Sequence, residues 1–212
     1  MHVILFGATG MVGQGVLREC LLDPRVNHVL SVGRSKTGQQ HAKLEEAEMR
    51  DLDSRDLTGY DACFFCLGVS SAGMSEEDYR RVTYDLTLDV AKKIATPKVT
   101  FIYVSGAGTD STERGGTMWA RVKGATENAL LKLPFKAAYM FRPALIQPLH
   151  GIKSRTASYR IFYALTRPLL PLLTRLFPRY VTTTEQIGRA MINAAANGAP
   201  KAILESDDIN RL

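Results

Sequence analysis

Residues 2–22 read His2-Val-Ile-Leu-Phe-Gly7-Ala-Thr-Gly10-Met-Val-Gly13-Gln-Gly15-Val-Leu-Arg-Glu-Cys-Leu-Leu22. Val3–Phe6 is an unbroken apolar run, short enough for a strand and apolar enough to be buried on both faces. It leads straight into glycines spaced Gly7-x-x-Gly10-x-x-Gly13, then into a periodic helix carrying Val16, Leu17 and Leu21. Glycine permits a tight strand-to-helix turn and lets backbone N–H groups approach an anion, which then sits at the positive end of the helix. Gly7, Thr9, Gly10, Met11, Val12 and Gly13 are therefore a candidate cradle for the pyrophosphate of a dinucleotide, and the implied architecture is a Rossmann-type α/β fold.

Outward from this stretch, apolar runs alternate with helical patterns. The runs are Val3–Phe6, His28–Val32, about Lys43–Met49, Ala62–Leu67, Val99–Val104 and Ala137–Phe141, with helices expected over 11–22, 75–95 and 117–131. This alternation predicts a doubly wound, mostly parallel sheet covered on both faces. Ser75 with Asp78 three residues on is a capping-box-like start for the second helix, Glu76 and Glu77 favour the same end, and Pro97 marks its stop. No repeat, low-complexity tract or linker interrupts the chain, so residues 1–212 are expected to form one domain. Cys63 and Cys66 form a CxxC. Residues three apart on a strand point to opposite faces, so the pair is not expected to chelate a metal or close a disulfide.

The second strand ends at Val32-Gly33-Arg34-Ser35-Lys36. A ribose 2′-hydroxyl asks for an acidic residue there, a 2′-phosphate for a basic one. Arg34 argues for NADP over NAD as cofactor, with Ser35 and Lys36 as helpers; the alternative is a solvated loop carrying surface cations.

The net charge of +6 is uneven. Residues 151–184 carry Lys153, Arg155, Arg160, Arg167, Arg175 and Arg179 with no Asp or Glu, leaving 21 residues of each sign elsewhere. That distribution argues against a nucleic-acid partner on a broad basic face. Three cysteines point to a reducing compartment, and a cytoplasmic location is the expectation. The start of the chain has no basic leader and reads as a strand. No uncharged apolar run approaches the roughly 18 residues of a spanning helix. The histidines at 2, 28, 41 and 150 lack metal-ligand spacing, and no metal is expected.

Asp51-Leu52 after the third strand, Cys66-Leu-Gly68 after the fourth, Val104-Ser-Gly-Ala-Gly108 after the fifth, Trp119-Ala-Arg-Val-Lys123-Gly-Ala-Thr-Glu127 and Phe141-Arg-Pro143 join the glycine loop in one pattern. The pattern covers nearly the whole chain. It resembles the atypical short-chain dehydrogenase/reductase group of NAD(P)-binding, epimerase-like proteins, and within it the Tat-interacting-protein-30-like branch. The resemblance implies that Asp51, with its neighbour Leu52, lies near the adenine amino group and that Leu67 and Gly68 pass along the ribose. It makes Ser105 the active-site serine and Lys123 the nicotinamide-ribose lysine. Pro143, Ala144 and Leu145 match the segment that meets the nicotinamide.

Trp119 departs from the pattern. In the family, Tyr-x-x-x-Lys sets a phenol and an ammonium one helical turn apart, and the ammonium lowers the phenol's pKa for proton exchange with the substrate. An indole N–H has no proton to release near neutral pH. On one reading the chain is an NADP-dependent oxidoreductase with a small-molecule substrate, built on Ser105, Trp119 and Lys123. The proton then comes from Lys123, a water held by Ser105, or one of Tyr103, Tyr139 and Tyr159. On another reading, hydride chemistry is lost and the domain is an NADP-responsive sensor or protein-binding module. A sugar-nucleotide epimerase-type enzyme is a third, which the missing tyrosine opposes.

After Arg142-Pro143 the alternation weakens. Helices are expected over Ser154–Arg167 and Leu172–Phe177, bounded by Pro168 and Pro178. The resemblance implies that 151–184 is a small C-terminal helical cap over the substrate. Its charge leaves three uses open: a solvated face, docking on an anionic membrane surface, or recognition of an anionic substrate or partner protein. Thr182–Ile192 then reads as a capped helix returning to the body, with Gly198 as its stop and Ala202–Leu204 as an edge strand.

Overall fold

The apolar run at the chain start forms β1 (His2–Phe6), and Val3, Ile4, Leu5 and Phe6 are all buried. Successive side chains leave a strand on opposite faces. Val3 and Leu5 accordingly pack into one core layer, Ile4 and Phe6 into the other. Burial of each such side chain is worth about 1.5–3 kcal/mol. A strand apolar on both faces also needs a partner on both edges: β2 (His28–Gly33) pairs on one side and β4 (Ala62–Phe65) on the other, both parallel.

The computed structural model describes residues 1–152, 177 and 179–212. The helices expected over 154–177 lie outside these residues, apart from exposed Phe177. With β3 (Leu44–Glu48), β5 (Thr100–Val104), β6 (Ala137–Arg142) and β9 (Ile203–Glu205), the described residues build a seven-stranded sheet in the order β3-β2-β1-β4-β5-β6-β9. All its pairings are parallel. This is the doubly wound Rossmann sheet anticipated from the sequence. The chain leaves β1 towards β2 and later returns to β4 on the other edge of β1, so a crevice opens between the two at their carboxyl ends.

Helices α1 (Met11–Leu22) and α5 (Thr184–Asn197) cover one face through Val16, Leu17, Ile187 and Met191. They touch backbone to backbone: a Cβ at Gly15 would stand 2.6 Å from Thr184. Cys63 sits in the opposite layer from Cys66.

The single helix expected over 75–95 is three pieces: α2 (Glu76–Arg80), a π-helical turn at Arg81–Asp85, and α3 (Leu86–Ile94). Asp78 N donates to Ser75 Oγ at 3.1 Å, the cap anticipated there. Residues four apart drift by about 40° around an ordinary α-helix. The wider turn brings Tyr79, Thr83 and Thr87 onto one buried line. α4 (Met118–Leu130) follows β5 and buries Leu130 in the second layer with Leu88, Ala91 and Ile94 of α3.

One further difference matters for the site. Thr182 and Thr183, expected to open a helix, instead join Val181 in β8 (Val181–Thr183), which pairs in parallel with β7 (Leu145–Gln147) in a separate two-stranded sheet. The helix begins at Thr184, where Gln186 N donates to Thr183 Oγ1 at 2.9 Å. α6 (Ser206–Ile209) ends the described chain.

Candidate functional site

The turn after β1 is built by contact. Gly7 has φ +82°, and a Cβ there would lie 2.7 Å from the Cys66 carbonyl. A Cβ on Gly13 would lie 2.0 Å from the Gly7 oxygen. Gly10 N donates to that same oxygen at 2.9 Å and opens α1 with no side-chain cap. The first N–H groups of the helix, at Met11, Val12 and Gly13, are thus available at a positive helix end for an anion. Leu67 N lies 2.9 Å from a Cβ position at Gly7, against this turn, and no heavy atom beyond the chain neighbours lies within 4 Å of a Cβ position at Gly68. The cradle fits a pyrophosphate: side chains are absent where backbone must approach.

Arg34, Ser35 and Lys36 follow β2 at the same end of the sheet and are exposed. Asp51 is exposed on a 3₁₀ turn after β3, whereas the Leu52 side chain is buried in the core. Leu52 also borders a hollow of about 690 Å³ at the opposite, amino-terminal ends of β4 and β5. Leu145 starts β7, its N–H donating to Tyr180 O at 3.0 Å.

Ser105, Trp119, Lys123, Pro143 and Ala144 come together around one hollow of about 300 Å³ at the carboxyl ends of β5 and β6. Trp119 and Lys123 stand one turn apart on α4, and the loop after β5 closes against that helix. A Cβ on Gly124 would lie 1.8 Å from the Asp110 oxygen, and Asp110 N donates to Ala120 O at 3.0 Å. The Trp119 ring rests on Gly108, with Cη2 3.4 Å from its Cβ position. Pro143 O accepts from Ala107 N at 3.0 Å, and Ala144 N donates to Ser206 Oγ at 2.9 Å, fixing the segment after β6.

The substitute tyrosines resolve differently. Tyr103 is buried in the core, where burial pushes its phenol far up, and Tyr139 OH accepts from Ala199 N at 3.0 Å at the far side of β6. Neither reaches the hollow, and Tyr159 is outside the described residues. Tyr79, from the turn before the π-helical segment, does line it.

Beneath the hollow lies a buried ionic cluster. Glu127 is 0% exposed. Ser105 Oγ donates to Glu127 Oε1 at 2.5 Å, and Arg142 Nε reaches both Glu127 oxygens at 3.0 and 3.2 Å, with Arg142 Nη2 also on Oε2. Arg142 Nη2 further donates to Ser111 Oγ at 2.6 Å. In the sequence Glu127 is four residues after Lys123 on a helix, the signature of a surface ion pair. Nothing in that spacing marks it as buried or bound to serine. Lys123 Nζ donates instead to the Ser105 main-chain oxygen. Burial pulls the Lys123 ammonium down to about 8, with nearby Glu127 opposing.

No protein-family model matches the chain. It is 27% identical over 215 residues to protein fmp52, mitochondrial, of Emericella nidulans, covering 93% of this chain and 89% of that protein. Among solved structures it is similar to the Bordetella bronchiseptica enzyme WbmF in complex with NAD+ (TM-score 0.69, 15% identity, 99% of this chain and 76% of that one). It is likewise similar to a short-chain dehydrogenase/reductase superfamily protein from Agrobacterium tumefaciens with bound NAD (TM-score 0.63, 15% identity, 97% and 77%). The fold is thus that of short-chain-dehydrogenase-like Rossmann proteins. The mitochondrial naming of the fungal relatives overturns the expectation of a cytoplasmic location. Unpaired thiols indicate reducing surroundings without naming the compartment that supplies them.

Proposed function

We propose that the chain is an NADP-binding oxidoreductase-like protein of the atypical short-chain dehydrogenase/reductase kind, in the Tat-interacting-protein-30-like branch, acting on a small molecule. One observation carries this. The uncapped start of α1 and the hollow around Ser105 and Lys123 open at the same end of the sheet, on the two sides of the β1/β4 crevice. A dinucleotide laid across the strand ends would set its pyrophosphate on Gly10–Gly13 and its nicotinamide beside Pro143, Ala144 and Leu145. Asp51 and Leu52 would serve the adenine, Leu67 and Gly68 the ribose, and Lys123 the nicotinamide ribose. When bound, the cofactor supplies or takes a hydride. The protein's part is to hold the substrate oxygen against Ser105 and Lys123 while Trp119 and Tyr79 wall off water.

NADP is favoured over NAD by Arg34, which is exposed and has no carboxylate partner among the described residues. The names of the relatives support a mitochondrial location. Trp119 favours a second reading, an NADP-responsive module without turnover, because it has no proton to release. The same absence opposes an epimerase-type activity.

Calorimetric titration with NADP and NAD tests the proposal. NADP is expected to bind tighter, and Arg34→Asp should erase the preference. A charge-assisted hydrogen bond of about 1.5–3 kcal/mol corresponds to about tenfold to a hundredfold in affinity. Absence of binding by either dinucleotide removes the proposal, and an unchanged preference in Arg34→Asp removes the assignment of Arg34.

A further inference from the structure

Building on the oxidoreductase reading, we propose that Glu127 holds Ser105 as a hydrogen-bond acceptor. The hollow is then built for a compact alcohol, whose hydroxyl donates to Ser105 Oγ, and not for a bare carbonyl.

A serine hydroxyl has one proton and two lone pairs. Both protein groups within reach of Ser105 Oγ are acceptors: Glu127 Oε1 at 2.5 Å and Phe141 O at 3.2 Å. Whichever takes the proton, it points into the protein. The shorter separation is that of a charge-assisted O–H···O⁻ bond, so Glu127 holds it. Glu127 has no means of reversing the polarity, because Arg142 donates to both of its oxygens and keeps both as acceptors. Arg142 is itself fixed by Ser111 Oγ at 2.6 Å and by Glu205 at 3.8 Å. Among the described residues no protein donor is directed at Ser105 Oγ. What Ser105 offers the hollow it lines is therefore a lone pair.

Lys123 supplies the complement. Its ammonium has three protons, and the bond to the Ser105 main-chain oxygen leaves two. An alcohol oxygen satisfies both partners at once, donating to Ser105 and accepting from Lys123. A ketone also accepts from Lys123, but it sets its lone pairs against those of Ser105, an unmade hydrogen bond in a confined site. The volume of about 300 Å³ is at the lower end for ligand pockets, which fits a compact ligand. Glu127 touches no substrate and is a positioning residue.

Ligand-observed NMR titration of the full chain without dinucleotide, using cyclohexanol and cyclohexanone as matched probes, tests the polarity. Cyclohexanol is expected to bind about threefold to tenfold tighter, the worth of one neutral hydrogen bond. Ser105→Ala should bring the two to parity. In Glu127→Gln the amide oxygen stays on Arg142 and the NH₂ turns to Ser105 Oγ, which occupies one of its lone pairs and leaves the serine proton shared between Phe141 O and the hollow, so the preference for cyclohexanol should narrow. The proposal is overturned by equal affinities or a ketone preference in the unaltered chain, by an alcohol preference that survives Ser105→Ala, or by failure of both probes to bind. Calorimetry with NADP on the same sample separates the two levels. NADP binding without the alcohol preference refutes the role of Ser105 alone. The alcohol preference without NADP binding refutes the oxidoreductase reading and leaves the polarity of Ser105 standing.

Discussion

An indole stands one helical turn before Lys123, its Cη2 and Cζ2 against Gly108, where a phenol would complete a proton-transfer pair. Trp119→Tyr restores that pair without disturbing Ser105 or Lys123. Turnover on a panel of small alcohols and carbonyls with NADP(H) should rise by about a hundredfold, the low end of what a positioned proton donor contributes. No gain shows that the hollow does not bring substrate and residue 119 together. Lys123 makes a separate prediction. Burial takes its ammonium from the ordinary 10.5 to about 8, so the charged form is lost as pH rises through that value. The ammonium is the form that donates to a substrate oxygen. Turnover in either direction should therefore be highest below about pH 8 and fall above it, and Lys123→Arg, which stays charged, should flatten that limb. A flat profile in the unaltered protein takes Lys123 out of the chemistry. At this scale the sequence was only half legible: the order of Ser105, Trp119 and Lys123 was visible, whereas Glu127 and Arg142 stood only as members of a pattern with no role, because their burial and their bond to each other are decided by partners distant in the chain.

Among the elements, α4 carries the site because the loop after β5 is pressed onto it at Gly124. Gly124→Ala drives a Cβ to within 1.8 Å of the Asp110 oxygen, and overpacking of this kind costs about 1–3 kcal/mol. Chemical denaturation should register that loss. Gly116→Ala in the same loop, with nothing within 4 Å of its Cβ position, should stay within about 0.5 kcal/mol of the parent. Equal effects would mean that the loop does not depend on its seat against α4. Elements with strong patterns were legible from residues alone: β1, β4 and β5 are apolar on both faces, and Gly7–Gly13 admits one turn. β7 and β8 were not, since three-residue strands carry no period and owe their existence to each other. The π-helical turn was hidden because Tyr79, Thr83 and Thr87 repeat at an interval that an ordinary helix also tolerates.

For the molecule as a whole, β7 and β8 bracket the basic segment as a parallel pair, so Val181 opens β8 beside Leu145, and Gln147 ends β7 at the other end of the pair, beside Thr183. The stretch after β7 is tied to α5: Leu149 N donates to Thr184 Oγ1 at 3.1 Å, and His150 Nε2 meets Glu185 Oε2 at 2.6 Å. Replacing 153–178 with a Gly/Ser linker of about ten residues, which together with 148–152 and 179–180 exceeds the roughly dozen residues that a parallel connection needs, should leave a body that unfolds cooperatively within about 5 °C of the parent and still titrates with NADP. The same replacement removes five of the six cations that make up the +6 excess. A larger thermal loss would show that the body and the basic segment are one cooperative unit. The uneven charge was legible in the sequence; the parallel pair that brackets it was not. The tryptophan against Gly108 has an optical consequence as well. It is the only one in 212 residues, so the chain's indole emission originates wholly at the wall of the hollow, and the protein carries a built-in fluorophore that reports the filling of that one space.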